Sequence, residues 1–168
     1  GVQYLHGKLY GYAVEANGIQ ADGETLDRNY NYRELKWQDT DAQINLIGKF
    51  QLLGLAHTLV TGLEYENYDY KSYIIRSDPK SNNYPINIYD PVLGKPLPEL
   101  KNITTHDREN LKTTAVFAQD QIDLNERLSA LLGLRFEHYE HDYKNLLPNT
   151  LNWNTSHDAF IPRLGLVF

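Results

Sequence analysis

Apolar and polar residues alternate here along segments far longer than the strands of most soluble proteins. Between Glu24 and Phe50 there is no proline and no helical period, and the only glycine is Gly48. At ~3.3 Å per residue such a segment reaches roughly 85 Å if extended, whereas ordinary globular strands run about 3–10 residues. The alternation is clearest from Ser129 to Tyr139. Ala130, Leu132, Leu134 and Phe136 fall on one face, and Ser129, Gly133, Arg135 and Glu137 on the other. It recurs from His57 to Glu66, with Leu59, Thr61, Leu63 and Tyr65 opposed to Thr58, Val60, Gly62, Glu64 and Glu66. At the C-terminal end Pro162, Leu164, Leu166 and Phe168 oppose Arg163, Gly165 and Val167. A period of two is the signature of a strand with two unlike faces.

Composition narrows the class. With 41% hydrophobic and 12% aromatic residues the chain is too rich in packing groups for a disordered segment. No run approaches the ~20 consecutive apolar residues of a membrane helix, a test that leaves strand-built membrane proteins open because only every second residue need be apolar. The absence of cysteine removes disulfide scaffolds, thiol nucleophiles and zinc-thiolate centres. A net charge of −6 with scattered bases argues against nucleic acid as a partner. The chain begins with Gly1 rather than methionine, so we expect either a processed end or, in preference, an internal cut there.

Turn chemistry divides the chain into three up-and-down pairs. A strand from Gln3 to Ala16 is followed by a connection marked by Asn17-Gly18 and Asp22-Gly23. The long strand to Phe50 comes next, then a turn over Gln51–Ala56 and a return strand from His57 to about Arg76. A loop from Ser77 to about Asn110 holds five of the seven prolines: Pro79, Pro85, Pro91, Pro96 and Pro98. Leu111–Leu124 and Leu128 to about Lys144 form a tight hairpin around Asn125-Glu126-Arg127, and a medium loop at Pro148 leads to a strand from about Trp153 to Phe168. Long or medium connections therefore fall at one end and tight turns at the other, the asymmetry of an outer-membrane barrel. Phe50, Tyr65, Phe117, Phe136 and Phe168 are expected in aromatic girdles, and Lys49, Glu64, Arg135, Glu137 and Arg163 on the inward face. The alternatives are a soluble antiparallel β-sandwich binding module and a passive channel or small structural barrel. Six strands are too few to close a membrane barrel, for which single-chain bacterial examples begin at about eight. The expected fold is all-β, antiparallel and up-and-down, forming part of a large transmembrane outer-membrane β-barrel.

An ordered set of segments resembles the barrel of TonB-dependent siderophore receptors, most closely the ferrichrome and ferrioxamine type. The segments are Thr25-Leu26-Asp27-Arg28, Leu46-Ile47-Gly48-Lys49-Phe50, the stretch from His57 to Tyr65, Ile86-Asn87-Ile88-Tyr89-Asp90-Pro91-Val92, the stretch from Val116 to Gln121, Gly133-Leu134-Arg135-Phe136-Glu137, and the stretch from Pro162 to Phe168. The resemblance implies a receptor in the bacterial outer membrane that binds a ferric siderophore on its outer side. Uptake would be energised by the TonB complex through a plug domain, which lies outside this segment. Residues 1–168 would then be a partial barrel domain in contact with outer-membrane lipid. It also implies no catalysis and no resident cofactor, since the iron stays in the chelator.

The residues chosen as ligand contacts at the outer mouth are Trp37, Tyr70, Tyr73, Tyr84 and Tyr89, because aromatic faces with polar handles suit a bulky iron chelate. Packing between strands and loop is the competing role for each. His138, Glu140 and Asp142 share one strand face and contain metal-ligand chemistry, against a plain reading as a solvated strand end, which we favour. Loop polarity accounts for His106-Asp107 and His157-Asp158, since strand neighbours point to opposite faces. Asn102-Ile103-Thr104 and Asn154-Thr155-Ser156 match glycosylation acceptors, which carry little meaning in a bacterium.

Overall fold

A computed structural model describes residues 1–77 and 84–168. The strands are β1 (Val2–Ile19), β2 (Thr25–Leu52), β3 (Leu55–Arg76), β4 (Ile86–Asn87), β5 (Asn102–Asn125), β6 (Leu128–Asn145) and β7 (Trp153–Val167). Six of them form one antiparallel meander in the order β1-β2-β3-β5-β6-β7, while β4 adds a two-residue patch to β2. The expected antiparallel up-and-down architecture is therefore present. No second sheet packs against it among the described residues, which corrects the sandwich alternative. A sandwich also needs an apolar core, and among the described residues Ala115, 2% exposed, is the single buried hydrophobic side chain.

The tight turns are shorter than the sequence suggests. Leu52 pairs with Leu55, leaving Leu53 and Gly54 as a two-residue loop with φ of 55° and 83°. Positive φ at both central positions twists the turn to match the flanking strands. Asn125 pairs with Leu128 around Glu126-Arg127, and the Asn125 side chain accepts from the Arg127 amide at 2.9 Å. At the opposite end Asn17-Gly18 does not turn the chain. The register skips between Ala16 and Gly18, a bulge within β1, and the reversal falls at Asp22-Gly23. There Asp22 Oδ1 accepts from the amides of Glu24 and Thr25, both at 2.9 Å.

The largest departure from expectation is β5, which begins at Asn102 rather than Leu111. Residues 102–110 carry little apolar alternation because both faces there are polar, so the period-two signal fades while the backbone ladder with β3 continues. The connection that precedes β5 accordingly ends at Lys101, and Ile86–Asn87 ties it to Thr25 and Leu26. Pro79 lies outside the described residues.

Register sorts the side chains. Directly paired residues share a face, so Ile44, Leu63, Val116, Phe136 and Phe160 form one row across five strands. Successive rows toward the tight turns are Leu46-Thr61-Ala118-Leu134-Pro162, Gly48-Leu59-Asp120-Leu132-Leu164 and Phe50-His57-Ile122-Ala130-Leu166. Leu52 and Leu55 complete the band. From Ile44 to Leu52 the band covers about 26 Å of strand at ~3.3 Å per residue, and a tilt of ~35–45° brings it close to the apolar band of an outer-membrane barrel. Its single acid and single base meet, with His57 Nδ1 and Asp120 Oδ2 2.7 Å apart and the His57 ring stacked on Phe50 at 5.1 Å.

Phe50, Tyr65 and Phe136 lie on this banded side as expected, but Phe117 does not. It pairs with Gly62 and Arg135 on the opposite face, and a Cβ on Gly62 would come within 2.8 Å of its ring. Aromatic character alone did not fix the face; parity with Val116 did.

Candidate functional site

Charges that have no place in an apolar band gather on the other face. Lys49, Glu64, Arg135, Glu137 and Arg163 all have the parity of that face. Arg135 pairs with Glu64 and, through Nη2, with Glu137 at 2.9 Å. The two pairs satisfy charged groups that the strands hold beside one another.

Farther from the tight turns, the polar face carries an aromatic shelf. Trp37 is directly opposite both Gly7 and Tyr70. The indole lies flat across the space a side chain at position 7 would take, since a Cβ there would sit 2.0 Å from Trp37 Cζ2. Tyr68 stacks with Tyr70 at 6.4 Å between centroids and 8° between planes. Carboxylates line the shelf: Asp39 opposes Tyr68, and Glu109 opposes Tyr70. Nearby, desolvation followed by the charges of Asp39, Asp41 and Glu137 pushes the Glu66 carboxyl above its usual value.

Beyond the shelf sits a charged knot. Glu15 of β1 pairs with Arg33 of β2 and accepts from Arg76 Nη1 of β3 at 2.6 Å. Arg76 also donates to Asn29 Oδ1 at 3.2 Å and Thr104 Oγ1 at 3.3 Å. Asn31, between Arg33 and Asn29 on the same face, is fully buried, and among the described residues no group hydrogen-bonds either atom of its side-chain amide.

The five residues chosen from sequence do not form one cluster. Trp37 and Tyr70 stand together on the polar face. Tyr73 has the opposite parity and meets His106 edge-on at 5.4 Å. Tyr84 is fastened to β2: its carbonyl accepts from Arg28 Nε at 3.0 Å, its ring lies 4.6 Å from the guanidinium, and its hydroxyl donates to the Lys95 carbonyl at 3.0 Å. Tyr89 is 76% exposed in the loop. Residues the sequence reading passed over are Gly7, Tyr68, Glu15, Asn31, Arg33 and Arg76. Counting in twos from Trp37 along β2 reaches Arg33 and Asn31; the contribution of β1 and β3 needed the register.

His138, Glu140 and Asp142 share the banded side above the apolar rows. His138 Nδ1 lies 2.7 Å from Asp158 Oδ1 and its Nε2 3.5 Å from Glu140 Oε1. Both ring nitrogens thus face carboxylates, and Asp158 first, then Glu140, raises the imidazole pKa. No group of three such residues among those described is arranged to hold a metal ion.

A one-sheet meander with an apolar band on one face and paired charges on the other is the wall of a membrane β-barrel, and the chain belongs to the TonB dependent receptor-like β-barrel family, matched over residues 2–168. Members of that family are receptors and transporters of the bacterial outer membrane, not enzymes; they bind metal chelates or siderophores and interact with TonB. Among curated relatives, the metal-pseudopaline receptor CntO of one Pseudomonas aeruginosa strain is 39% identical over 98% of this chain and 24% of its own length. The same receptor from a second strain is 36% identical over the same shares. The chain thus spans about a quarter of these relatives. Among solved structures, the ferric preacinetobactin receptor BauA of Acinetobacter baumannii superposes with a TM-score of 0.67 at 22% identity, covering 98% of this chain and 25% of that one. The ferric-catecholate import receptor Fiu of E. coli gives 0.65 at 16% identity, covering 98% and 28%. These two likenesses establish the fold.

Proposed function

We propose that residues 1–168 are part of the barrel domain of an outer-membrane receptor that imports a ferric siderophore or a closely similar metal chelate, energised through TonB by way of a plug domain. The observation that carries this reading is the division of one sheet into an apolar band and a charged, aromatic-bearing polar face, in a chain matched to the family along its whole length. On this reading the banded face meets lipid and the polar face lines the lumen. The metal is cargo held by its chelator, so no resident cofactor is needed. Trp37, Tyr70 and Tyr68 offer flat apolar area, while Arg33 and Arg76 offer cationic donors to a carboxylate-bearing chelate. Tyr84 and Tyr89 belong to the loop above the mouth, and Tyr73 serves packing. The names of the relatives concern pseudopaline, preacinetobactin and catecholate chelates; the ferrichrome or ferrioxamine subtype remains one branch of the proposal.

The test is uptake of labelled ferric chelates by cells carrying the full-length gene, its deletion, and a TonB-deficient background. Loss of uptake of one chelate in both mutants supports the proposal. Uptake that persists without TonB points to a passive channel, and no dependence for any chelate rejects a receptor role.

A further inference from the structure

Trp37, Tyr70, Glu109, Tyr143 and Trp153 stand directly opposite one another across β2, β3, β5, β6 and β7, and all have the parity of the polar face. The shelf described above is thus one end of a longer belt. Neighbouring strands lie ~4.8 Å apart, so the gaps from β2 to β7 give it a length of about 19 Å. The far end is held by ring contacts of its own. Tyr143 lies 5.6 Å from Trp153 with the planes 20° apart, and the His141 ring meets Trp153 edge-on at 4.4 Å. Rings fixed against one another lose little rotamer freedom when a ligand arrives. Between the two aromatic ends Glu109 keeps 35% of its side chain exposed, with His141 Nε2 3.6 Å from its Oε2.

Charge sets this belt apart from the rest of the polar face. Asp107 lies one row above it, Asp39 one row below, and Asp41 and Glu66 two rows below. No lysine or arginine has a place in these four rows to balance the carboxylates. The nearest cations of the face are committed to other acids: Arg33 and Arg76 to Glu15 above, Arg135 to Glu64 and Glu137 below. Like charges side by side destabilise a sheet, so the belt calls for positive charge. Hydrogen bonding says which kind. Among the described residues the buried Oδ1 atoms of Asp39 and Asp107 have no hydrogen-bond partner. Unmet buried acceptors are costly, and N–H donors on the cation would meet them. No three His, Asp or Glu side chains among the described residues are arranged to hold a metal ion, which directs the belt to an organic cation. Aromatic faces attract such a cation through the ring quadrupole, and a carboxylate accepting from an ammonium makes a short, charge-assisted hydrogen bond.

We propose that the belt binds a protonated nitrogen group, an ammonium or imidazolium, carried by the metal chelate that is the cargo. Glu109 is its ion partner, Asp107 a second acceptor, and Tyr70 and Tyr143 the faces on either side. The inference rests on the reading above that the polar face lines the lumen of a chelate receptor, and it narrows the cargo to chelates bearing such a group. It is tested with the full-length receptor in detergent and three iron probes that share one chelating core. These are ferric desferrioxamine B with its pendant ammonium, the N-acetylated form, and the form with a trimethylated nitrogen. Affinities are read by quenching of tryptophan fluorescence. The ammonium form should bind at least about tenfold more tightly than the neutral acetyl form, and added salt should narrow the gap. The trimethylated form should fall between them, because it keeps the attraction to the rings and offers no N–H donor. The double variant Glu109→Gln, Asp107→Asn should lose the preference while binding the acetyl form as the parent does. The charge-preserving Glu109→Asp should keep it, which separates lost charge from lost folding. Equal affinity for the ammonium and acetyl forms, no binding of the ammonium form, or a double variant with the parent's preference would each overturn the proposal. A double variant that keeps the preference but unfolds more readily would show that a base of the receptor itself fills the belt, which overturns it as well. Uptake of the same probes is read separately: uptake that does not depend on TonB strikes the receptor function, and the binding comparison still decides this site.

Discussion

Leu164→Arg tests whether the apolar band meets lipid. Leu164 lies in the row Gly48-Leu59-Asp120-Leu132-Leu164, with apolar rows on both sides, and is 81% exposed in the sheet. Four residues separate it from Phe160 at the top of the band, about 13 Å of strand, which places it near the bilayer midplane. An arginine facing lipid at that depth costs roughly 2–4 kcal/mol, a factor of about 30 to 700 in the folding equilibrium. The neighbouring Arg163 shows that the other face accepts the same side chain one residue away, where it pairs with Gly133 in register. Leu131→Arg is the matched control. Leu131 has the parity of the polar face, opposite Gly165 and Gln121, and its cost should be about 1 kcal/mol or less. The assay is urea unfolding of the full-length protein in lipid vesicles, followed by tryptophan fluorescence. Equal destabilisation by the two substitutions, or a larger loss for Leu131→Arg, would refute the assignment of faces. Repeating both in a soluble surfactant without a bilayer-like interior should shrink the difference, because the penalty belongs to the lipid.

Gly7→Ala should displace the Trp37 indole, whose Cζ2 stands 2.0 Å from the new Cβ; since carbon contacts settle near ~3.5–4.0 Å, the ring must swing away. Chelate affinity of the full-length receptor should fall, read by quenching of tryptophan fluorescence, and an unchanged dissociation constant removes the shelf from the binding site. Glu15→Gln leaves Arg33 and Arg76 facing each other without their shared carboxylate. We expect a loss of about 1–3 kcal/mol in unfolding free energy, partly restored by pairing it with Arg33→Gln in a double-mutant cycle. Raised in the folded state by Asp158 and then Glu140, the His138 pKa gives a signed pH effect. Its stabilisation is fully present below the unfolded value of ~6.5 and fades as pH rises through the higher folded value. The stability gap between parent and His138→Ala should therefore be widest in mild acid and close toward alkaline pH; a gap that widens with pH contradicts the pairing. Asp22 is held below its ordinary pKa first by the Thr25 hydroxyl and then by the amides of Glu24 and Thr25. Asp22→Ala should loosen the 20–24 turn, seen as faster amide exchange there with the rest of the sheet unchanged.

Local chemistry in the sequence was enough to decide that this chain forms long strands, which residues share a face within each strand, and where the chain reverses most sharply. A period of two is a property of the strand backbone itself, so Ala130, Leu132, Leu134 and Phe136 declare their common face without any partner. The same logic placed Lys49, Glu64, Arg135, Glu137 and Arg163 together. It lost its grip where both faces are wet, which is why Asn102–Asn110 read as loop, and it passed over the parity of Phe117 and Tyr73 because their aromatic character looked functional. What only the tertiary structure decided is register. Register is set by backbone hydrogen bonds between strands and, in the hairpins, by the length and type of turns such as Leu53-Gly54, and the period of two by itself does not encode which residue lies beside which. It brought Glu15 to Arg33 and Arg76, laid Trp37 over Gly7 and beside Tyr70, and continued that row through Glu109 to Tyr143 and Trp153. A slip of two residues would keep every face as the sequence wrote it and still scatter all three of these groupings.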